Sequence, residues 1–257
     1  MAEVNKRQIT KMSSTYIASG VALITLMSII GTSAFLKTTE VRVEGAAIYS
    51  IEEIVDSSGL SLGNNLIFVN AQTVSQSIRS ALPFVNSAEV SRVWPGTVLI
   101  EITESDPVAS IAFAGELLIL DSSGRLLMQS TGGSFALSVN THDLIEIRGV
   151  EISDASLGEV LRPALGAETR LQNMQDVLAA LEREDMVSDV SYLDVSNTGN
   201  IQFGYLDMYR VIVGSIRDLR HKLGILPGAL ADIEFRFPNT TGDIDLSDPS
   251  DVRFRPS

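Results

Sequence analysis

The sequence predicts an α+β protein in three parts: an N-terminal transmembrane helix, a β-α-α-β-β unit, and a mixed β-meander domain with flanking helices. Three observations predict it. An uncharged apolar run lies between Lys11 and Lys37. Two helix-period segments with cap residues follow, bracketed by alternating segments. From about residue 112 onward, short alternating runs recur between Gly, Asn and Ser turns.

The apolar run has its core from Tyr16 to Leu36, reading YIASGVALITLMSIIGTSAFL. At 1.5 Å rise per residue, about 20 such residues cross a hydrocarbon layer of roughly 30 Å. Lys6, Arg7 and Lys11 precede it against the single Glu3, so the positive-inside rule leaves residues 1–11 as a cytoplasmic tail, 12–36 as the span and the rest outside. The competing readings are a cleaved secretory signal, suggested by the small residues Gly31 to Ala34, and a buried core helix. The run exceeds the usual roughly 7–15 residues of a signal and has no clear Ala-x-Ala. A core helix poorly explains all-round apolar character after a basic tail.

The segment TEVRVEG alternates at Val41 and Val43 and stops at Gly45, as a half-buried strand does. Ser50 with Glu53 forms a capping box for a short helix ended by Gly59. Asn70 caps a second helix with Val74, Ile78, Ala81 and Leu82 on one face, ended by Pro83. Strands are expected over 88–93 and 97–103, flanking Pro95-Gly96. Trp94 is expected to pack against the helices and close this core.

In the last part, strands over 117–120 and 125–128 flank a turn at 121–124. A Gly- and Ser-rich loop covers 130–140, and a strand covers 145–150. A helix over 165–181 places Leu171, Met174, Leu178 and Leu181 at core spacing. Three strands follow at 190–195, 201–205 and 208–213. A basic helix over 215–226 then sets Ile216, Leu219, Leu223 and Leu226 on one side. Arg217, Arg220, His221 and Lys222 fall mostly on the other, as a solvated flank or a partner surface.

A net charge of −13 and a pI near 4.5 argue against nucleic acid, whose affinity comes from Lys and Arg on phosphates. There is no cysteine, hence no disulfide or thiolate site. The two histidines, His142 and His221, lack a second ligand at metal spacing. Asp243, Asp245 and Asp248 form the best carboxylate cluster, but their alternation suits a strand with a wet polar face. No nucleophile elbow is present. The chain is therefore read as non-catalytic, with no cofactor and no small-molecule substrate.

The strings VRVEG, SIEEIVDSSGLSLGNNL and LPFVNSAEVSRVWPGTVLIEITESDPVA resemble the POTRA domain of the FtsQ/DivIB family of bacterial cell-division proteins. Trp94-Pro95 sits in the hairpin, and Glu104 stands with Pro107, Val108 and Ala109 at the exit. VSDVSYLDVSNTGNIQF, VIVGSIRDLRHKLGIL and the ending GDIDLSDPSDVRFRPS resemble that family's β domain. The likeness is weaker over about 130–185. It implies a POTRA-like domain over 37–108 and a β domain over 109–257. It also implies a bitopic divisome scaffold in the cell membrane at the septum, with FtsB/DivIC-like and FtsL-like coiled coils as partners and septal peptidoglycan synthase components nearby. In the family a partner segment adds as a strand to the terminal edge. The matching positions are Ile244, Asp245, Leu246, Val252 and Phe254, with Arg217 and Arg220 on the neighbouring helix. Some members follow Ile-Asp-Leu with Arg-Tyr; here Ser247 and Asp248 stand there. Main-chain pairing and apolar contacts at Leu246 and Phe254 are then expected to carry more of the binding. The alternative function is a POTRA-type secretion or assembly accessory protein that docks polypeptide clients. Such proteins usually lead into a β-barrel, which this chain does not.

Overall fold

A computed structural model describes residues 19–25, 36–130 and 144–257. Of the span expected over 12–36, residues 19–25 are helical and Leu36 is described; the rest lies outside the described residues. Among the described residues no helix is long and apolar enough to cross a membrane. The loop expected over 130–140 lies, past Ser130, outside them, as does His142. The chain divides into two compact units, one reaching to Glu104 and the other containing Ser105–Ser257.

The first unit runs β1 (Glu40–Glu44), α1 (Ile51–Ser58), α2 (Ala71–Ala81), β2 (Val85–Val93) and β3 (Thr97–Glu104). Its sheet order is β1-β3-β2, with β1 parallel and β2 antiparallel to β3. A parallel pair requires a crossover, which the two helices supply. The capping box is present: the Glu53 amide donates to Ser50 Oγ, while the Ser50 amide donates to the Glu53 carboxylate. Gly59 closes α1 in the left-handed region at φ 66°, where a side chain would be strained. Asn70 accepts from the amides of Gln72 and Thr73 at the start of α2. Ile54, Leu66, Val74 and Ile78, together with Val98, Ile100 and Ile102 of β3, are buried. At the end of β3, the Glu104 carboxylate accepts three amides, from Ala47, Ile48 and Tyr49, and so ties down the turn before α1.

Trp94 corrects the sequence expectation. It sits at the tip of the β2–β3 hairpin and is 58% exposed, because the core is already filled by the alternate residues of β3 and the tip extends beyond the helices. Trp94→Ala is therefore expected to change stability by less than about 0.5 kcal/mol. Thermal unfolding of the full chain in detergent checks this, and a large loss would place the ring in the core after all.

The second unit carries one nine-stranded mixed sheet. Its strands are β4 (Ala109–Phe113), β5 (Glu116–Leu120), β6 (Leu126–Ser130), β7 (Ile145–Arg148), β10 (Val190–Asp194), β11 (Ile201–Tyr205), β12 (Tyr209–Gly214), β13 (Gly242–Asp245) and β14 (Arg253–Pro256). The short β8 (Ile152–Asp154) and β9 (Arg162–Pro163) pair separately. The sheet order is β14-β13-β12-β11-β10-β7-β4-β5-β6. The meander expected from the turns is found at β10-β11-β12 and β4-β5-β6, but β7 pairs in parallel with both β4 and β10, and β13 pairs in parallel with β12. Helices α3 (Glu168–Arg183) and α4 (Leu219–Arg236) place Met174, Leu178, Leu181, Leu223, Leu226 and Leu230 in the same core as the inward residues of the sheet.

The basic helix expected over 215–226 is displaced. It begins after Asp218, whose φ of 56° is left-handed, and continues through Pro227 to Arg236. An interior proline costs a helix about 3 kcal/mol, and burial of Leu230 and Ile233 beyond it offsets that penalty. Arg217 therefore precedes the helix. Lys222, expected on a solvated flank, is buried and donates to the carbonyls of Val213 and Ser215, both at 2.9 Å.

Candidate functional site

β14 is the last strand of the sheet, paired only with β13. Its register sets Ile244 opposite Phe254 and Asp243 opposite Arg255. The Ser257 amide donates to the Thr241 carbonyl, so by antiparallel alternation the amides of Arg255 and Arg253 also turn inward. Those of Phe254 and Val252 turn outward, and Pro256 has none to offer. An edge of this kind is a template for another strand.

The Phe254 ring lies edge-on to Tyr209, with centroids 6.2 Å apart, and tilted against Phe237 at 5.5 Å. Beside it, a cavity of about 250 Å³ is lined by Ile233, Arg236, Phe237, Val252 and Phe254 among others. Phe235, on the same stretch of α4, is 88% exposed. Tyr209 and Phe237 were not among the residues the sequence singled out. Phe235 and Phe237, two apart just before Pro238, are the signal that could have marked this corner.

The expected site residues separate into three environments. Val252 and Phe254 are accessible at the edge, with the C-terminal half of α4 beside them. Ile244 and Leu246 are fully buried in the core, because β13 has a strand on each side and α4 is the crossover that covers it. Leu246 therefore has no accessible surface for the apolar contact expected of it. Arg220 is at the other end of α4, about 24 Å from Arg236 at 1.5 Å per residue. There it lies 3.6 Å from Glu184, the residue that follows α3, in an open groove that also includes Asp218 and His221. Arg217 is exposed in the turn before α4.

The carboxylates of the C-terminal run are each engaged within the fold. Asp243 forms an ion pair with Arg210. Asp245 Oδ1 accepts from Ser247 Oγ at 2.6 Å and from the Ser247 amide at 3.0 Å. The hydroxyl contact is the main cause holding its carboxyl below the ordinary range, against the opposing effect of burial. Asp248 is lowered in the same way by Ser250. Two successive Asp-x-Ser turns thus deliver the chain from β13 to β14. Ser247 and Asp248 are used inside these turns. Among the described residues no group of three or more His, Cys, Asp or Glu could hold a metal ion.

Comparison with known proteins agrees with this architecture. A family profile described as "POTRA domain, FtsQ-type" matches residues 36–105. Cell division protein DivIB of Clostridium tetani is 24% identical over 172 residues, covering 67% of this chain and 61% of that protein. Cell division protein FtsQ of Corynebacterium glutamicum is 32% identical over 113 residues, 42% of this chain and 50% of that one. FtsQ of Geotalea daltonii is 26% identical over 202 residues, covering 74% and 68% respectively. The chain thus spans about half to two thirds of the length of these relatives. By these matches the chain contains an FtsQ-type POTRA domain and is similar to the FtsQ/DivIB bacterial cell-division proteins.

Proposed function

We propose that this chain is a non-catalytic, membrane-anchored scaffold of the bacterial divisome, with the terminal edge of its β domain as the docking site for partner chains. The observation that carries this reading is the open β14 edge beside the Phe237–Phe254 groove. An incoming strand would pair with the outward groups of Val252 and Phe254, and one apolar side chain would fill the groove. Main-chain pairing would supply affinity and the groove specificity. Partners of the FtsB/DivIC and FtsL coiled-coil type fit this role, and through them the scaffold would bear on septal peptidoglycan synthesis. The relatives are named as division proteins, which does not favour the secretion-accessory alternative.

Val252→Pro tests the edge, because proline removes one outward donor while leaving β14 itself intact. Affinity for the coiled-coil partner is expected to fall by about tenfold, or roughly 1.4 kcal/mol, with the melting temperature unchanged. Full affinity in a folded variant would move the interface elsewhere, most simply to the POTRA domain.

Residues 12–36 are proposed as the span, with residues 1–11 cytoplasmic. Protease added to spheroplasts should digest the chain beyond about Lys37 and spare the anchor. A mature protein beginning near residue 35 would instead make the segment a cleaved signal.

A further inference from the structure

The first unit exposes a group of large apolar side chains that its fold does not use. Phe68 is 82% exposed and Trp94 58%; Leu62, Ile67 and Val93 are exposed with them. They sit on two segments at one end of the three-stranded sheet, where β1 and β3 begin and β2 ends. Hydrogen bonds tie these segments directly to residues 36–39. The Leu66 amide donates to the Leu36 carbonyl, the Gly63 amide to Thr38 and the Thr39 amide to Gly96, each at 2.7 Å. Arg92 Nη2 donates to the Val69 carbonyl, joining the hairpin to the loop. Leu36 is the last residue of the apolar run, so this end of the unit begins where the run stops.

Charge agrees with position. Segments 36–39, 60–69 and 92–97 contain Lys37 and Arg92 and no acidic residue, in a chain whose net charge is −13. An acidic protein is repelled from an anionic lipid surface on average, and a rim free of carboxylates escapes that repulsion locally. Tryptophan and phenylalanine with flanking cations are the side chains that settle at the headgroup level.

We propose that this rim, Leu62, Ile67, Phe68, Val93 and Trp94, rests in the headgroup layer of an anionic phospholipid bilayer, so that the POTRA domain is seated on the membrane as well as tethered to it. The proposal rests on the reading of residues 12–36 as a membrane span. It explains why the hairpin tip carries a tryptophan that is mostly exposed.

Trp94 is the only tryptophan in the chain, so its fluorescence reports this contact without labelling. The full chain would be reconstituted in vesicles of phosphatidylcholine and phosphatidylglycerol, and Trp94 quenched with aqueous iodide or with lipids spin-labelled near the headgroup. Relative to detergent-free unfolded chain, iodide quenching is expected to fall by roughly threefold, as for a ring with one face in the interface, with efficient quenching by the shallow lipid label. The Ile67→Ser/Phe68→Ser double variant should restore iodide access without changing the melting temperature. Alkaline carbonate extraction separates the two readings. Release from the vesicles would overturn the span and the proposal with it. Retention with Trp94 fully open to iodide would overturn the proposal alone, and so would protection seen only in native membranes, which would make the occupant a protein.

Discussion

Replacing Lys222 with methionine is expected to destabilise the β domain by about 2–4 kcal/mol, an effect larger than any surface substitution on α4 should have. Lys222 is 3% exposed, and its ammonium donates to the Val213 and Ser215 carbonyls at the point where β12 gives way to α4. Methionine matches the length of the stem but leaves both acceptors without that donor. Two charge-assisted hydrogen bonds of roughly 1.5–3 kcal/mol each should outweigh the relief of no longer burying a charge. Burial, the largest influence, pushes the Lys222 pKa below its ordinary value; Asp218 and Asp248 oppose this, and Arg217 adds to it. The unfolded chain therefore binds more protons between the lowered folded value and the ordinary value of about 10.4. The pH-dependent part of the group's contribution rises with pH through that window and is absent below the folded value, where the hydrogen bonds of the charged ammonium remain. Denaturant unfolding of the full chain should show the neutral-pH loss in Lys222→Met, together with the absence of the alkaline rise. A variant as stable as the parent at pH 7 would mean that the charge costs as much as its hydrogen bonds return.

Gly242→Ala is expected to loosen the docking edge itself. A Cβ at this position would lie 2.3 Å from the Arg255 carbonyl oxygen and 2.7 Å from the Phe254 ring, and backbone that close has to move. β13 is held on its other side by β12, whereas β14 has only β13, so the less costly relaxation is to push β14 outward. Overpacking of this kind costs about 1–3 kcal/mol, concentrated on four residues. Hydrogen exchange at the inward amides of Arg253, Arg255 and Ser257 should accelerate by at least about tenfold, the equivalent of 1.4 kcal/mol of local opening. Amides of β11 and β12 should be little affected. If β14 docks the partner, affinity should fall in parallel. Unchanged protection at Ser257, whose amide donates to Thr241, would show that the strand absorbs the methyl without detaching.

Much of the local structure was legible in the chain because it depends on spacing over a few residues. The Ser50–Glu53 box, the Asn70 cap, the stripe of Leu171, Met174, Leu178 and Leu181 and the turn at residues 121–124 all rest on contacts within about one helical turn or one hairpin. The POTRA order was legible for the same reason, as was the presence of a terminal strand in the run after Gly242. What depended on distant neighbours was not. Trp94 looks like a core residue until the sheet and helices are assembled and its hairpin tip extends past them. Lys222 looks like part of a basic flank until β12 brings two carbonyls to it. Pro227 looks like a helix end until the sheet offers Leu230 and Ile233 a place to bury. The edge behaves likewise: periodicity marks Ile244, Leu246 and Phe254 as apolar, yet only strand order sets Ile244 and Leu246 inside the sheet, fully buried, and leaves Phe254 on the edge strand beside an open groove. Periodicity records which face of an element is apolar, whereas the partner that covers that face is chosen by contacts far apart in sequence, and only the assembled sheet decides it.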